Sequence, residues 1–345
     1  MPCTIIEHKI GSFKALTLSD GEFSLTLLPE KGSDIISLRH EKTDTEFLWT
    51  SPNGLQTDAP TKSFIDNYEG GWQECFPTGG PPIKYRGAEI GQHGEVHALR
   101  WEVVETVATD TEVSVTLEVR TLKTPFFLRK KITLRGATGI IEIDETATNE
   151  SNEDLPVLWG QHPALGGNFL DEHCKIDTLA GRVWSYVLPE NAEMGQFDQN
   201  VEGVWPMLKN KHGDMVDVSE IPAPSTRTAD MLFIGDFKDG WISVTNRERK
   251  VGIAFLFDPE MHKVMWLWQM FGGGTGYPWY GRAYTMALEP FTGAPDPHAG
   301  DIARVAGTHT IAAGATATAR LRVLLYKGIR GVGRITADGT IVPRI

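Results

Sequence analysis

The sequence predicts an all-β protein, a large sandwich of two packed antiparallel sheets. Three observations carry this. Most periodic segments are short and rich in β-branched or aromatic residues, and Gly, Asp or Asn turns separate them. Between them there are no regular stretches of about ten to fifteen residues with helical period, which a βαβ architecture would require.

The first pair of elements is FKALTLSDGEFSLTLLPE, residues 13–30, a strand, a turn at Asp20-Gly21, and a second strand alternating Phe23, Leu25 and Leu27. Residues 111–122, 126–136 and 139–151 (TEVSVTLEVRTL, FFLRKKITLRG, GIIEIDETATNES) form a run of three strands, with a tight connection from Gly136 to Gly139. This is the pattern of an antiparallel meander. Residues 172–229 are less regular. Strand patterns resume with MLFIGDF at 231–237, a Lys238-Asp239-Gly240 turn, WISVTNRE, KVGIAFLFD, KVMWLWQM and AYTMALEPF, and close with ATARLRVLLY at 317–326. Length alone would allow two domains, but no linker-like composition breaks the chain, so residues 1–345 read as a single β-sandwich domain.

Composition narrows the partners. A formal net charge of -12 disfavours nucleic acid and anionic membranes, both of which would be repelled at long range, and suits a small neutral ligand. The N-terminal residues lack a basic stretch followed by an apolar run and a cleavage site, so the expected location is cytoplasmic. Cys3, Cys75 and Cys174 are widely spaced and form neither a disulfide framework nor a Cys-x-x-Cys motif; they read as reduced thiols. A monomer or homodimer is expected.

Two Gly/Pro-rich segments, PTGGPP at 77–82 and FGGGTGYPWYG at 271–281, are loops. Tyr277, Trp279 and Tyr280 of the second read equally as a platform for the apolar face of a sugar and as a cover over the protein's own core.

The polar candidates fall in four places. In GQHGEVHALRWEV, residues 91–103, a strand would turn His93, Glu95 and His97 to one face. These three could supply the minimum ligands of a metal, but the closer His-x-His step is missing and no neighbouring Cys or Asp cluster completes a shell, which favours hydrogen bonding to a polar ligand over metal binding. In VLWGQHPALGGNFL, residues 157–170, an apolar strand ends in Gln161-His162, and Pro163 holds His162 extended. In MALEPFTG, residues 286–293, Glu289 also precedes a proline; after Met286, Ala287 and Leu288 it is expected to be half-buried, with a raised pKa suited to a base. In GGWQECFP, residues 70–77, Trp72 reads equally as a stacking platform and as core, with Gln73 and Glu74 beside it.

The order of GGWQECFP, the His93-Gly94 pair followed by RWEV, Gln161-His162-Pro163 and the late Glu289 resembles the galactose mutarotase or aldose 1-epimerase superfamily. The likeness covers roughly residues 20–325 as a series of short motifs. It implies a β-supersandwich, with His162 as general acid, Glu289 as general base and His93 hydrogen-bonding the sugar. Asp230 matches an Asp that binds ring hydroxyls in the family. Trp72, Glu74, Glu95, His97, Gln161 and Arg282 complete the expected substrate-binding set. No metal and no organic cofactor are implied. Three departures stand out. The family's P-N-R segment is replaced by PTGGPP, so its substrate contact is missing or comes from Lys84, Arg86 or Arg282. Glu95 and His97 stand where the family pattern has Phe and Arg, which disfavours a phosphorylated substrate. The H-P-Y-F motif becomes HPALGGNF, with its Tyr lost.

The expected function is therefore mutarotation of a free, non-phosphorylated aldose by acid/base ring opening. The alternatives are a carbohydrate-binding or sensing protein of the same fold and, further off, a metal-dependent sugar isomerase using His93, Glu95 and His97.

Overall fold

The computed structural model describes residues 2–56, 63–136, 138–187, 193–295 and 309–344. Among them the architecture is antiparallel β, in two large sheets and four two-stranded ones. A twelve-stranded sheet runs through Phe23–Leu28, Asp34–His40, Trp72–Cys75, Gly160–Leu165, Tyr284–Phe291, Val264–Phe271, Thr228–Gly235 and Arg182–Ser185. An eight-stranded sheet orders Cys174–Thr178, Trp241–Asn246, Val251–Phe257, Thr316–Lys327, Ile140–Asn149, Phe126–Arg135, Glu112–Arg120 and Glu102–Ala108. Among the described residues helical structure is confined to single turns such as Ile65–Asn67 and Val96–Ala98. None of it is long and apolar enough to cross a membrane among the described residues.

The strands expected from alternation form where the sequence places them. Asp20 fixes the first turn, its Oδ1 accepting from the backbone N–H groups of Glu22 and Phe23 at 2.8 and 2.7 Å. The meander pairs Glu112–Arg120 with Phe126–Arg135 and that strand with Ile140–Asn149; Ala137, in its second connection, lies outside the described residues. The irregular middle contains further short strands, among them Cys174–Thr178 and Arg182–Ser185, which join opposite sheets. Apolar residues from both sheets, such as Leu27, Leu165 and Leu288 from one and Val115, Ile143 and Phe255 from the other, belong to one buried cluster.

Between the sheets lies a polar layer. Lys130 donates to Glu74 at 2.8 Å and sits 4.5 Å above the Trp101 ring. Gln161 donates to both oxygens of Glu145 at 3.0 Å and accepts from Trp72 Nε1 at 2.7 Å, while Trp159 Nε1 donates to Glu74 at 3.2 Å. Burial first, then the neighbouring Glu74, push the Glu145 carboxyl well above the carboxylate range, so it keeps its proton. That leaves one ammonium facing one carboxylate, a balance that a single substitution upsets. Replacing Lys130 by Met is expected to cost ~3–5 kcal/mol in chemical denaturation, because Glu74 is left as an unpaired buried charge.

Candidate active site

Gly160–Leu165 pairs with Trp72–Cys75 so that Gln161 faces Glu74, His162 faces Gln73 and Pro163 faces Trp72. Side chains alternate along a strand. Gln161, Trp72 and Glu74 therefore enter the layer between the sheets, where Trp72 meets Phe255 of the eight-stranded sheet at 5.7 Å. His162 leaves on the opposite face. On its other side Gly160–Leu165 pairs with Tyr284–Phe291 at Gly160↔Phe291 and Ala164↔Ala287, and the intervening ladder is open around His162 and Glu289. Pro163 and Pro290 lack N–H donors, which accounts for part of this opening. The result corrects the expectation that His162 ends a strand: it stands mid-strand, in phase with Glu289 across the gap. Gly160 is needed here, since a Cβ would meet the Phe291 ring at 2.3 Å.

His162 Nε2 and Glu289 Oε1 are 3.6 Å apart, at the wall of a cavity of about 520 Å³ on the outer face of the twelve-stranded sheet. Neighbouring strands continue this wall in rows. Trp266 is opposite Glu289 and Phe233 opposite Trp266; Trp268 is opposite Ala287 and Met231 opposite Trp268. Phe64, Tyr68 and Trp279 come from loops, and the His162 ring lies 5.8, 5.4 and 5.7 Å from Phe64, Tyr68 and Trp268.

Both members of the pair are buried, and burial acts on them in opposite directions. It pushes the Glu289 carboxyl well above its ordinary range and pulls His162 down to about 4, although a hydrogen bond to its own main-chain carbonyl works the other way. Glu289 Oε2 is buried without a hydrogen-bond partner, the environment of a carboxylic acid rather than a carboxylate. Glu289 is thus fully buried, not half-buried. Tyr68 Oη lies 3.4 Å from His162 Nδ1. His93, 5.2 Å from His162 between ring centres, is lowered well below its ordinary value by burial and then by the neighbouring His162 and His97. Its Nδ1 accepts from the Gly80 N–H at 3.2 Å, so the neutral ring carries its proton on Nε2, available to a ligand.

Four of the sequence candidates meet here: His93, His162, Glu289 and Trp279 of the aromatic loop. The others do not. Residues 91–99 form a turn and a short 3-10 segment, not a strand. His93 and Gly94 have φ of 59° and 88°, and a Cβ on Gly94 would meet the Phe76 carbonyl oxygen at 2.2 Å, so the chain must kink where alternation was expected. Glu95 consequently binds the Leu122–Thr124 turn, accepting from the N–H groups of Leu122 and Lys123 and the Thr124 hydroxyl at 3.0, 2.8 and 2.8 Å. His97 packs edge-on against Phe64, near Lys31 and Asp34. Among the described residues no three His, Cys, Asp or Glu side chains gather to hold a metal ion. Asp230 points away from the face of Met231 and Phe233 and accepts from the Gln196 backbone at 2.7 Å. Trp72, Glu74 and Gln161 belong to the layer between the sheets, and Arg282 sits exposed on its loop, donating to Asn53 Oδ1 at 3.0 Å. Trp279 of the aromatic loop lines the cavity, whereas Tyr277 and Tyr280 are exposed.

The aromatic walls were the main omission. The signal for part of them is present in VMWLWQMF, where Trp266, Trp268 and Met270 alternate onto one face. Phe64 and Tyr68 lie in a loop whose packing has no periodic signature.

Beside Tyr68, Lys31 bridges Asp34 and Glu69 at 2.7 and 2.5 Å, and burial, then Asp34, raise Glu69 to about 8. An acid with a raised folded pKa stabilises the fold fully below its unfolded value and loses that contribution as pH rises. Glu69 and Glu289 both act in this sense. Above about pH 7 the buried histidines are neutral in both the folded and the unfolded chain and no longer oppose this trend, so the wild type is expected to lose stability from about pH 7 to about pH 9. Glu289→Gln retains the Glu69 contribution, and denaturant titrations should show a smaller loss over the same range.

Solved structures share this architecture. A galactose mutarotase related enzyme from Lactobacillus acidophilus is 15% identical with a TM-score of 0.63, over 93% of this chain and 98% of that one. A galactose mutarotase-like protein from Clostridium acetobutylicum is 14% identical with a TM-score of 0.64, over 95% and 99%. Another from Lactobacillus casei ATCC 334 is 16% identical with a TM-score of 0.56, over 94% and 100%. At these identities the likeness shows the fold, a galactose mutarotase-like β-sandwich. No curated protein sequence matches the chain. A family profile described as "Domain of unknown function (DUF4432)" matches residues 11–325, and the chain belongs to that family.

Proposed function

We propose that this chain is an aldose 1-epimerase-like isomerase that interconverts the α and β anomers of a free, non-phosphorylated sugar. The observation that carries the reading is the buried pair, His162 Nε2 and Glu289 Oε1 at 3.6 Å, in an aromatic-walled cavity. Two oxygens bonded to one anomeric carbon are close enough that each can reach one member of such a pair. The names of the L. acidophilus and C. acetobutylicum structures point to the same chemistry.

Ring opening needs a proton delivered to the ring oxygen and one removed from the anomeric hydroxyl. The roles implied by the family resemblance, protonated His162 and ionised Glu289, would place two charges on buried side chains. Burial favours the neutral form of each, with the same single proton. In that form Glu289 protonates the ring oxygen as the C1–O5 bond breaks, and His162 takes the anomeric proton as the aldehyde forms. After rotation about C1–C2, the O5 hydroxyl adds to the other carbonyl face. Its proton returns to Glu289, and His162 returns its proton to O1. His93 donates from Nε2 to a sugar oxygen, and Trp268 or Trp279 offers a face to the ring's C–H groups.

Glu289→Gln keeps the shape and removes the transferable proton. It is expected to lower kcat/KM for anomer exchange by ~10²–10⁴, measured by polarimetry or NMR across an aldose panel. Undiminished exchange would remove Glu289 from the mechanism. Saturable sugar binding to the wild type with no acceleration of exchange would favour a binding or sensing role.

A further inference from the structure

The cavity is more apolar and longer than a simple aldose needs. Around His162 and Glu289 it offers polar atoms from His93, Gln92 and Tyr68. Past Trp266 its character changes. The row Glu289, Trp266, Phe233 crosses two strand spacings, ~10 Å at the usual separation. Its far end is formed by Met231, Phe233, Val187 and Tyr186, with Tyr186 5.6 Å from Phe233 and Phe233 5.5 Å from Trp266. No Lys or Arg lines the cavity among the described residues, and Glu289 is the only carboxyl group that does. A volume of about 520 Å³ falls within the ~300–1,000 Å³ that takes drug-sized ligands. A lone pyranose, docked by its anomeric edge, would leave the far end unfilled. A polar hydroxyl projecting there would lose water and, among the described lining side chains of that end, meet no polar group except the Tyr186 hydroxyl.

We infer that the substrate is an uncharged sugar carrying a hydrophobic, aryl-type substituent away from the anomeric carbon, seated between Trp266, Phe233 and Met231. This deepens the proposed mutarotase reading and rests on it for the orientation of the sugar. The reacting atoms stay at His162 and Glu289, and the substituent supplies binding at a distance from them.

The test compares several free aldoses with their mono-benzyl ethers, one for each non-anomeric position. At least one ether should exceed its parent in kcat/KM for anomer exchange by roughly tenfold or more, the return on burying a phenyl ring. Parents exchanged as well as every ether would overturn the inference while leaving the mutarotase reading intact. If neither parents nor ethers are exchanged, the mutarotase reading fails. Tryptophan-fluorescence titration then decides the apolar end alone: an ether bound roughly tenfold tighter than its parent upholds it, and equal binding rejects it. Met231→Gln, nearly isosteric but polar, should reduce the ether-to-parent ratio; an unchanged ratio would also reject the assigned position of the substituent.

Discussion

The pleat of one strand separates two chemistries that must not mix. In Gly160–Leu165, Gln161 enters the layer between the sheets and His162 enters the cavity. A slip of one residue would bury His162 among Glu74, Glu145 and Lys130 and present an amide, with no transferable proton, to the ligand. The register is held by directional contacts on the inner face, where Gln161 bonds Glu145 and Trp72, and Lys130 bonds Glu74. A polar layer in a sandwich core is costly unless every member is satisfied. Here it ties the position of His162 to pairing between the two sheets.

Burial determines how the outer face works. Burial disfavours charge on His162 and Glu289, which favours a pair of acid and neutral base over an ion pair. The apolar walls strengthen any hydrogen bond made inside the site. The open ladder around Pro163 and Pro290 gives the two side chains room to face each other on adjacent strands. Stability is given up for this arrangement, because Glu289 retains an unpartnered buried oxygen.

Alternation made strands such as Ile140–Asn149 legible in the sequence, since its period-two pattern reflects one buried face, whereas the strands of 231–291 are buried on both faces and show instead as short apolar runs between turns. His162 and Glu289 were legible too, each marked by a following proline. What failed was the extension of alternation into residues 91–99. Left-handed backbone at His93 and Gly94 breaks the period, and a short sequence such as HGEVH does not reveal where φ becomes positive. Gln161 and Trp72 were credited to the site because they are close in sequence, whereas on a strand the next residue faces the other way. Phe64 and Tyr68 come from a loop, and only tertiary packing brings them to His162.

The proposed proton transfers depend most on the neutral state of the buried pair, and nitrogen NMR of the protein with ¹⁵N-labelled histidine reads it directly. The His162 ring should remain a neutral imidazole with an unprotonated Nε2 from about pH 5 to about pH 8, where an exposed histidine would titrate. Imidazolium shifts for His162 at neutral pH would show a buried ion pair with Glu289 and contradict the account.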